Sequence, residues 1–135
     1  MRLTMLTAEQ VRSTLETLSP TEEKVDLAVR TAIEIARPSR VILFGSWPRG
    51  EARWDSDLDL AVLVEDEYEA EIPLRRRQLR RKLDEIPMSI DLVFTTESCA
   101  KSFLDSINSI YFKILREGKT VYERDVSNQS ANSAA

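Results

Sequence analysis

Two aspartates inside an apolar strand pattern constrain this chain more than any other feature of its sequence. Residues 57–64 alternate with period two, so that one face carries Leu58, Leu60, Val62 and Val64. Asp57 and Asp59 share the opposite face, about 7 Å apart, although aspartate is a poor strand former. Two carboxylates this close repel each other unless a cation lies between them. The pair therefore indicates either a functional site or a solvated, exposed sheet face.

The rest of the sequence contains segments with the periodicity of helices and segments with the periodicity of strands. An apolar run at 41–44 that ends at Gly45 predicts a buried strand, and 89–94 predicts a further strand. Helices are predicted over 8–37 (two in succession), 74–85 and 98–118, and a short edge strand over 120–123. This order predicts an α/β (α+β) fold in which a small mixed sheet is flanked by helices.

Local signals mark where these helices begin and end. Thr7 with Gln10 and Ser19 with Glu22 form two predicted capping boxes, the second with proline at the first helical position. Gly118 is the predicted C-cap of the last helix, whose apolar stripe we expect to be core. That stripe consists of Ala100, Phe103, Leu104, Ile107, Ile110, Tyr111, Ile114 and Leu115. We expect one domain over 1–125, with its core at 41–94, and a flexible tail at 126–135.

The composition excludes several classes of chemistry. The chain of 135 residues has no histidine and one cysteine, which excludes imidazole bases, Ser-His-Asp triads and cysteine-cluster metal sites. Carboxylates and hydroxyls must therefore carry any catalysis. The net charge of −4 argues against a surface built for direct nucleic-acid binding. With no signal peptide and no apolar run of about 20 residues, the sequence predicts a cytoplasmic protein without membrane contact.

A third carboxylate strengthens the functional interpretation of the aspartate pair. Asp91 lies on a neighbouring predicted strand, facing away from that strand's apolar residues. With Asp57 and Asp59 it would complete a three-carboxylate cluster. Mg²⁺ is a hard cation that suits such oxygen ligands, and two ions in one cluster serve phosphoryl and nucleotidyl transfer.

A glycine-serine pair upstream predicts a phosphate-binding turn. Gly45-Ser46 follows the first buried strand and precedes a predicted helical turn at 47–50, with Ser46 as its N-cap. Free backbone N–H groups at such a turn bind anions. Arg49 and Arg53 are candidates for phosphate contacts, or are surface arginines that pair with neighbouring acids.

Together these motifs resemble a known family. Gly45-Ser46, ten residues and then Asp57-Leu58-Asp59 are similar to the signature of the nucleotidyltransferase superfamily that includes DNA polymerase beta. Residues 43–60 resemble the minimal nucleotidyltransferases (MNT) of bacteria and archaea, and the resemblance extends over about 25–123. Pro48 replaces the small residue usual in the family, but proline is tolerated in a first helical turn.

The resemblance implies a nucleotidyltransferase fold and a Mg²⁺-dependent reaction with ATP. It implies that Asp57, Asp59 and Asp91 are catalytic and hold two Mg²⁺ ions, with Asp91 helping to remove the acceptor proton. The nucleotide-binding residues that it implies are Gly45, Ser46, Arg49, Arg53 and Ser56. All three family carboxylates are present, so nothing in the motif marks an inactive enzyme.

The resemblance also implies a partner protein. Minimal nucleotidyltransferases commonly pair with a small helical HEPN protein, an RNase toxin, in a toxin–antitoxin system. The leading interpretation is an antitoxin that binds this toxin as a hetero-oligomer and transfers AMP to a toxin tyrosine (AMPylation). One alternative is a non-catalytic antitoxin that acts by complex formation. The other is a nucleotidyltransferase that modifies a small molecule such as an antibiotic.

One predicted helix concentrates six positive charges, on Arg75, Arg76, Arg77, Arg80, Arg81 and Lys82. An acidic stretch at 65–71 precedes them. The pattern indicates either a patch for RNA or an acidic partner, or a solvated helix whose arginines pair with the acidic stretch. We favour the second interpretation.

Overall fold

The computed structural model describes residues 7–10 and 18–124. Its helices and strands follow in the order α1 (Glu22–Ala36), β1 (Arg40–Phe44), β2 (Leu58–Val64), a 3-10 helix (Asp66–Glu71), α2 (Ile72–Leu83), β3 (Ile90–Thr96), α3 (Glu97–Ser102), α4 (Ile110–Phe112) with a π-helical turn (Lys113–Glu117), and β4 (Lys119–Glu123). The predicted mixed sheet flanked by helices is confirmed. No helix in the described part of the chain is long and apolar enough to cross a membrane.

The four strands form one sheet in the order β3-β2-β1-β4. β1 pairs antiparallel with both β2 and β4, whereas β2 pairs parallel with β3. The parallel pair requires a crossover connection, which the 3-10 helix and α2 supply. β3 and β4 are therefore the edge strands, and β2 lies inside the sheet, where apolar residues cover both of its faces.

Two hydrophobic clusters cover the two faces of the sheet. On the first face, α1 and α2 each pack against the sheet through one apolar side. The buried members of these helices are Val25, Ala28, Ala32, Ala36, Leu79 and Leu83. On the second face, Ala100 of α3 and Ile114 of the π-helical turn cover Ala61 and Leu63 of β2. The second face also carries the residues that alternate with Ala61, and these include Asp59.

The N-terminal helix signals are confirmed in part. Thr7 and Gln10 form the predicted capping box. The Thr7 amide donates to Gln10 Oε1 at 2.8 Å, and the Gln10 amide donates to the Thr7 hydroxyl at 3.1 Å. The second cap was assigned to the wrong residue: Thr21, not Ser19, caps α1, because its hydroxyl accepts from the Lys24 amide at 3.2 Å. The first turn therefore begins two residues later than expected. Residues 11–17 and the tail at 126–135 lie outside the described residues.

The predicted continuous helix over 98–118 is wrong. α3 ends at Ser102, residues 103–109 form turns, and a new helical turn begins at Ile110. Ser109 restarts the helix, since its hydroxyl accepts from the Tyr111 amide at 3.1 Å; serine and asparagine side chains compete in this way with helical backbone bonding. The apolar stripe is consequently not all core.

Gly118 follows the π-helical turn, as predicted. Glycine is required at this position for a reason other than the left-handed backbone of a typical helix C-cap. Its φ of −74° is not left-handed, so conformational freedom does not require glycine here. A Cβ at this position would lie 2.3 Å from the Ile114 carbonyl and 2.5 Å from the Ile42 side chain. Glycine is needed because the chain crosses directly over β1 before it enters β4.

A partly buried ion pair joins Arg40 at the start of β1 to Glu97 at the start of α3. Glu97 accepts from Arg40 Nε at 2.9 Å and from Nη2 at 2.6 Å, and from the Ser39 hydroxyl at 2.7 Å. Burial acts to raise the pKa of Glu97, but the hydrogen bonds from Arg40 and Ser39 outweigh it and lower that pKa below its ordinary value. The same pair raises the pKa of Arg40.

We expect Glu97→Gln to lower the free energy of unfolding by about 2 kcal/mol at neutral pH, because charge-assisted hydrogen bonds are lost. A carboxyl with a lowered folded pKa stabilises the native state above its unfolded pKa and loses that effect as pH falls. Urea unfolding of the two proteins should therefore converge below about pH 4. Asp26→Asn, which breaks an exposed pair with Arg30, is the control and should cost less than about 0.5 kcal/mol. An equal loss in both variants would contradict the assignment.

Candidate functional site

A cleft of about 560 Å³ opens on the second face of the sheet. Its lining comprises Phe44, Gly45, Ser46, Arg49, Ser56, Asp57, Asp59, Asp91, Asn108, Ile110, Lys113 and Glu117. The structure thus brings seven of the eight site residues that we singled out from the sequence to one place. Arg53 is the exception, since it is not among the lining residues.

The sheet register positions the carboxylates. Asp59 pairs with Phe44 on β1 and with Asp91 on β3, so both aspartates project from adjacent strands toward the second face. Asp57 lies just before β2 begins and is exposed, as is Asp91, whereas Asp59 is half-buried. The first face of β2 is fully covered by apolar residues. Because side chains alternate between the two faces of a strand, the acidic side chains point toward the cleft on the second face.

Gly45 lets the chain turn closely over Asp59. Its φ of +76° is left-handed, and a Cβ built there would lie 2.0 Å from Asp59 Oδ2, so only glycine fits. The turn that follows is closed by the Gly50 amide donating to the Trp47 carbonyl and the Glu51 amide donating to the Ser46 carbonyl, both at 3.0 Å. The predicted helical turn at 47–50 is a hydrogen-bonded turn without helix, because Gly50, with a φ of +72°, reverses the chain.

A second, smaller turn holds Ser56. The Ser56 hydroxyl accepts from the Arg53 amide at 2.8 Å, and the Ser56 amide donates to the Arg53 carbonyl at 3.1 Å. Arg53 therefore acts on this turn through its backbone. Arg49 lines the cleft and also pairs with exposed Glu51 at 3.1 Å, so its pairing with a neighbouring acid is observed, and its contact with phosphate stays a prediction.

The three carboxylates interact electrostatically. Burial raises the pKa of Asp59, and the nearby charges of Asp91 and Asp57 and a hydrogen bond with Asp91 raise it further, while Arg49 partly offsets this. A raised folded pKa means that ionisation of Asp59 opposes folding as pH rises through its titration. Burial is the larger cause of this penalty and repulsion from the neighbouring carboxylates adds to it; a cation between the carboxylates would offset the repulsion.

The donor set fits a hard divalent cation in its chemistry. Carboxylate oxygens, with room beside them for phosphate, are what Mg²⁺ typically takes from a protein. Within residues 7–10 and 18–124, no group of three Asp, Glu or Cys side chains stands in a metal-holding arrangement. The residues that suit a cation are therefore the adjacent pair Asp59 and Asp91, with Asp57 at the same cleft.

Five lining residues were not predicted as site residues: Phe44 at the end of β1, and Asn108, Ile110, Lys113 and Glu117 of the C-terminal segment. The predicted continuous helix over 98–118 gave no reason to expect the four C-terminal residues at the cleft. Because the helix breaks after Ser102, the segment from 108 onward folds back over the cleft. The serine and asparagine residues at 106–109 were the available signal for this break.

The chain was compared with known proteins. The family model described as "Polymerase beta, Nucleotidyltransferase" matches residues 30–127. A solved structure from Sulfolobus solfataricus, assigned as a nucleotidyltransferase, is similar with 16% identity over 78% of this chain and 91% of that chain, at a TM-score of 0.44. A solved toxin-antitoxin with AMP-PNP is similar with 23% identity over 82% of this chain and 80% of that chain, at a TM-score of 0.41. No curated protein sequence matches.

The close approach of Gly45 to Asp59 can be isolated by comparing two glycines. Gly45→Ala and Gly50→Ala both place alanine at a positive φ, which costs about 1–2 kcal/mol. Only Gly45→Ala also clashes, because nothing lies within 4 Å of a Cβ at Gly50. We expect a larger loss of unfolding free energy for Gly45→Ala, and the excess should vanish in an Asp59→Ala background. An equal loss for both glycines in urea unfolding would refute the contact.

Proposed function

The chain belongs to the polymerase beta nucleotidyltransferase family, and from this premise we propose that it transfers AMP from ATP to a tyrosine hydroxyl of a cognate HEPN RNase toxin, as its antitoxin. The observation that carries the proposal is the cleft itself. One cavity contains the Gly45-Ser46 turn and the three carboxylates Asp57, Asp59 and Asp91. A phosphate-binding turn beside clustered carboxylates is what nucleotidyl transfer requires.

We assign the triphosphate to the turn side of the cleft. Ser46 and the backbone at Gly45 would bind it, with Arg49 and the Ser56 hydroxyl within the same lining. Lys113 approaches from the opposite wall and adds a second positive charge for the phosphates. Arg53, which the resemblance included, is assigned a positioning role through its hydrogen bonds with Ser56.

The acceptor oxygen would attack the α-phosphorus of ATP. The new bond joins that oxygen to phosphorus, the bond to the bridging oxygen breaks, and pyrophosphate leaves with the electron pair. Asp91 would accept the acceptor's proton, and its exposure in the cleft beside half-buried Asp59 supports this role. Bound Mg²⁺, held by Asp57, Asp59 and Asp91, would neutralise the phosphates and lower the pKa of the acceptor hydroxyl.

A protein acceptor is supported by an apolar rim beside the cleft, which we define as Phe103, Ile107 and Ile110. These side chains are 44%, 73% and 45% exposed, and Ile110 also lines the cleft. Phe103 is held in place by stacking on Tyr111, with ring centroids 5.2 Å apart. Adjacent exposed apolar side chains mark protein contact surfaces, whereas a small polar acceptor would gain little from them. The rim therefore favours the toxin over a soluble small molecule.

The catalytic test is adenylylation of the partner. The native protein, incubated with ATP, MgCl₂ and the HEPN toxin, should add AMP to a toxin tyrosine, detected by mass spectrometry. Asp57→Asn with Asp59→Asn should slow this by about a hundredfold or more, because several kcal/mol of charge stabilisation are lost. Asp55→Asn, an exposed acid two residues away that does not line the cleft, is the matched control and should act like the native protein.

The same variants distinguish the alternatives. If the native protein never adds AMP but the double variant still protects cells from the toxin, the chain is a non-catalytic antitoxin and the proposal fails. If a soluble acceptor is modified without any toxin, the small-molecule alternative is correct.

Chelation of the divalent ion with EDTA should abolish transfer but leave the protein folded, as followed by circular dichroism.

The apolar rim makes a separate prediction. We expect Ile107→Asp to lower the rate of toxin modification about tenfold while ATP affinity is unchanged, because a charged group would interrupt the contact surface. Leu74→Asp, at a position on α2 that is 54% exposed and outside the cleft lining, is the control. Initial rates and calorimetric ATP binding measure the two effects. Equal rates for both variants would show that the acceptor docks elsewhere.

A further inference from the structure

A second concave surface lies along the exposed edge of β3, on the first face of the sheet. It is a groove of about 500 Å³ lined by Pro73, Arg76, Arg77, Arg80, Arg81 and Leu92. We call it the arginine groove. Four of the six lining residues are arginines and none is acidic, although the whole chain carries a net charge of −4. Such a concentration of one sign of charge is a binding feature for an anion.

Two of the arginines, Arg76 and Arg80, stabilise the structure through hydrogen bonds to β3. Arg76 Nη2 donates to the Phe94 carbonyl at 2.6 Å, and Arg80 Nη1 donates to the Ile90 carbonyl at 2.8 Å. Both acceptors belong to the free edge of β3, where unpaired carbonyls need partners. These bonds hold α2 against the edge strand and explain Arg76 and Arg80 without any ligand.

The other two arginines, Arg77 and Arg81, have no such structural role. Across residues 18–124, the side chains of Arg77 and Arg81 form no ion pair or hydrogen bond, and both are exposed. The expectation that the arginines pair with the acidic stretch holds only for Arg75, which contacts Glu71 at 2.9 Å and the Tyr68 ring at 4.9 Å. The carboxylates nearest in sequence are thus not the partners of Arg77 and Arg81.

The acids that begin the acidic stretch are bonded elsewhere in the domain. Glu65 pairs with Arg124 at 3.0 Å, and Asp66 accepts from Ser98. Arg77 and Arg81 therefore present two cations toward solvent, one helical turn apart, in a groove that the apolar residues Pro73 and Leu92 also line.

The spacing between Arg77 and Arg81 along the helix matches the spacing of alternate side chains in an extended acidic segment. Residues four apart on a helix are about 6 Å apart along its axis, and alternate side chains of an extended peptide are about 6.6–7 Å apart. Two carboxylates at alternate positions can therefore face Arg77 and Arg81, while apolar side chains between them face Leu92. From this geometry we infer that the arginine groove binds an extended segment of a partner protein in which acidic and apolar residues alternate.

The composition and location of the groove favour a peptide over RNA. No aromatic side chain is among its lining residues, so the bases of a single strand would have nothing on which to stack. Leu92 of the groove directly follows Asp91 of the cleft, on opposite faces of β3. A segment held in the groove therefore lies beside the edge strand that carries a cleft carboxylate, and the groove is separate from the nucleotide-binding side.

Fluorescence anisotropy with a labelled peptide that alternates glutamate and valine tests this inference without ATP or toxin. The native protein should bind it, and binding should weaken with added salt. Arg77→Gln with Arg81→Gln should weaken binding about tenfold, because two ion pairs are lost. The matched control, Arg30→Gln with Arg116→Gln, removes the same charge from exposed positions outside the groove and should bind like the native protein.

Two further probes make the inference refutable. A peptide with lysine in place of glutamate, and one with all its glutamates consecutive, should bind at least several-fold more weakly. Equal binding of the alternating peptide by both double variants would overturn the inference, as would binding of a single-stranded RNA in preference to the peptide. Thermal melting should show that the Arg77/Arg81 variant is folded, since these side chains form no hydrogen bond or ion pair in the described part of the chain.

Discussion

The parallel pairing of β2 with β3 brings Asp59 beside Asp91, and neighbouring strands lie only about 4.8 Å apart. Burial raises the pKa of Asp59, and repulsion from the neighbouring carboxylates raises it further. The arrangement persists because both faces of β2 are covered by apolar residues. A register slip of one residue would move every side chain to the opposite face and place the carboxylates in the first cluster. Core packing thus holds together charges that would otherwise separate, and the cleft is a consequence of that register.

The close turn at Gly45 depends on the same register, because it passes directly over Asp59. Antiparallel pairing puts Phe44 opposite Asp59, so the chain leaves β1 at the level of the carboxylates. The turn and the acids are therefore adjacent without any long-range loop. Lys113 and Glu117 complete the cleft from the far side only because the C-terminal segment breaks and folds back.

Strand β3 separates two surfaces of opposite charge. Asp91 faces the cleft, and Leu92 faces the arginine groove, where Arg76 and Arg80 bond the edge carbonyls. Those bonds protect an edge strand that would otherwise offer unpaired backbone groups to another chain. Of the other arginines on α2, Arg75 pairs with Glu71, and the side chains of Arg77 and Arg81 form no hydrogen bond or ion pair in the described part of the chain. The apolar rim lies on the cleft side, so the domain presents distinct surfaces for contact on either side of one strand.

The strands, the α1 and α2 faces and the site aspartates could all be predicted from the sequence, because each depends on local periodicity or on a short motif. Alternation in β2 places Asp57 and Asp59 on one side whatever the rest of the chain does. Which strand lies beside β2, and hence that Asp59 meets Asp91, was decided by the assembled sheet. Likewise the apolar stripe from Ala100 to Leu115 fits a helix by its period alone, yet only α3 and the last turn find a sheet surface to cover. Periodicity records which side chains can share a face; the limited area of the second sheet face determines which of them are buried.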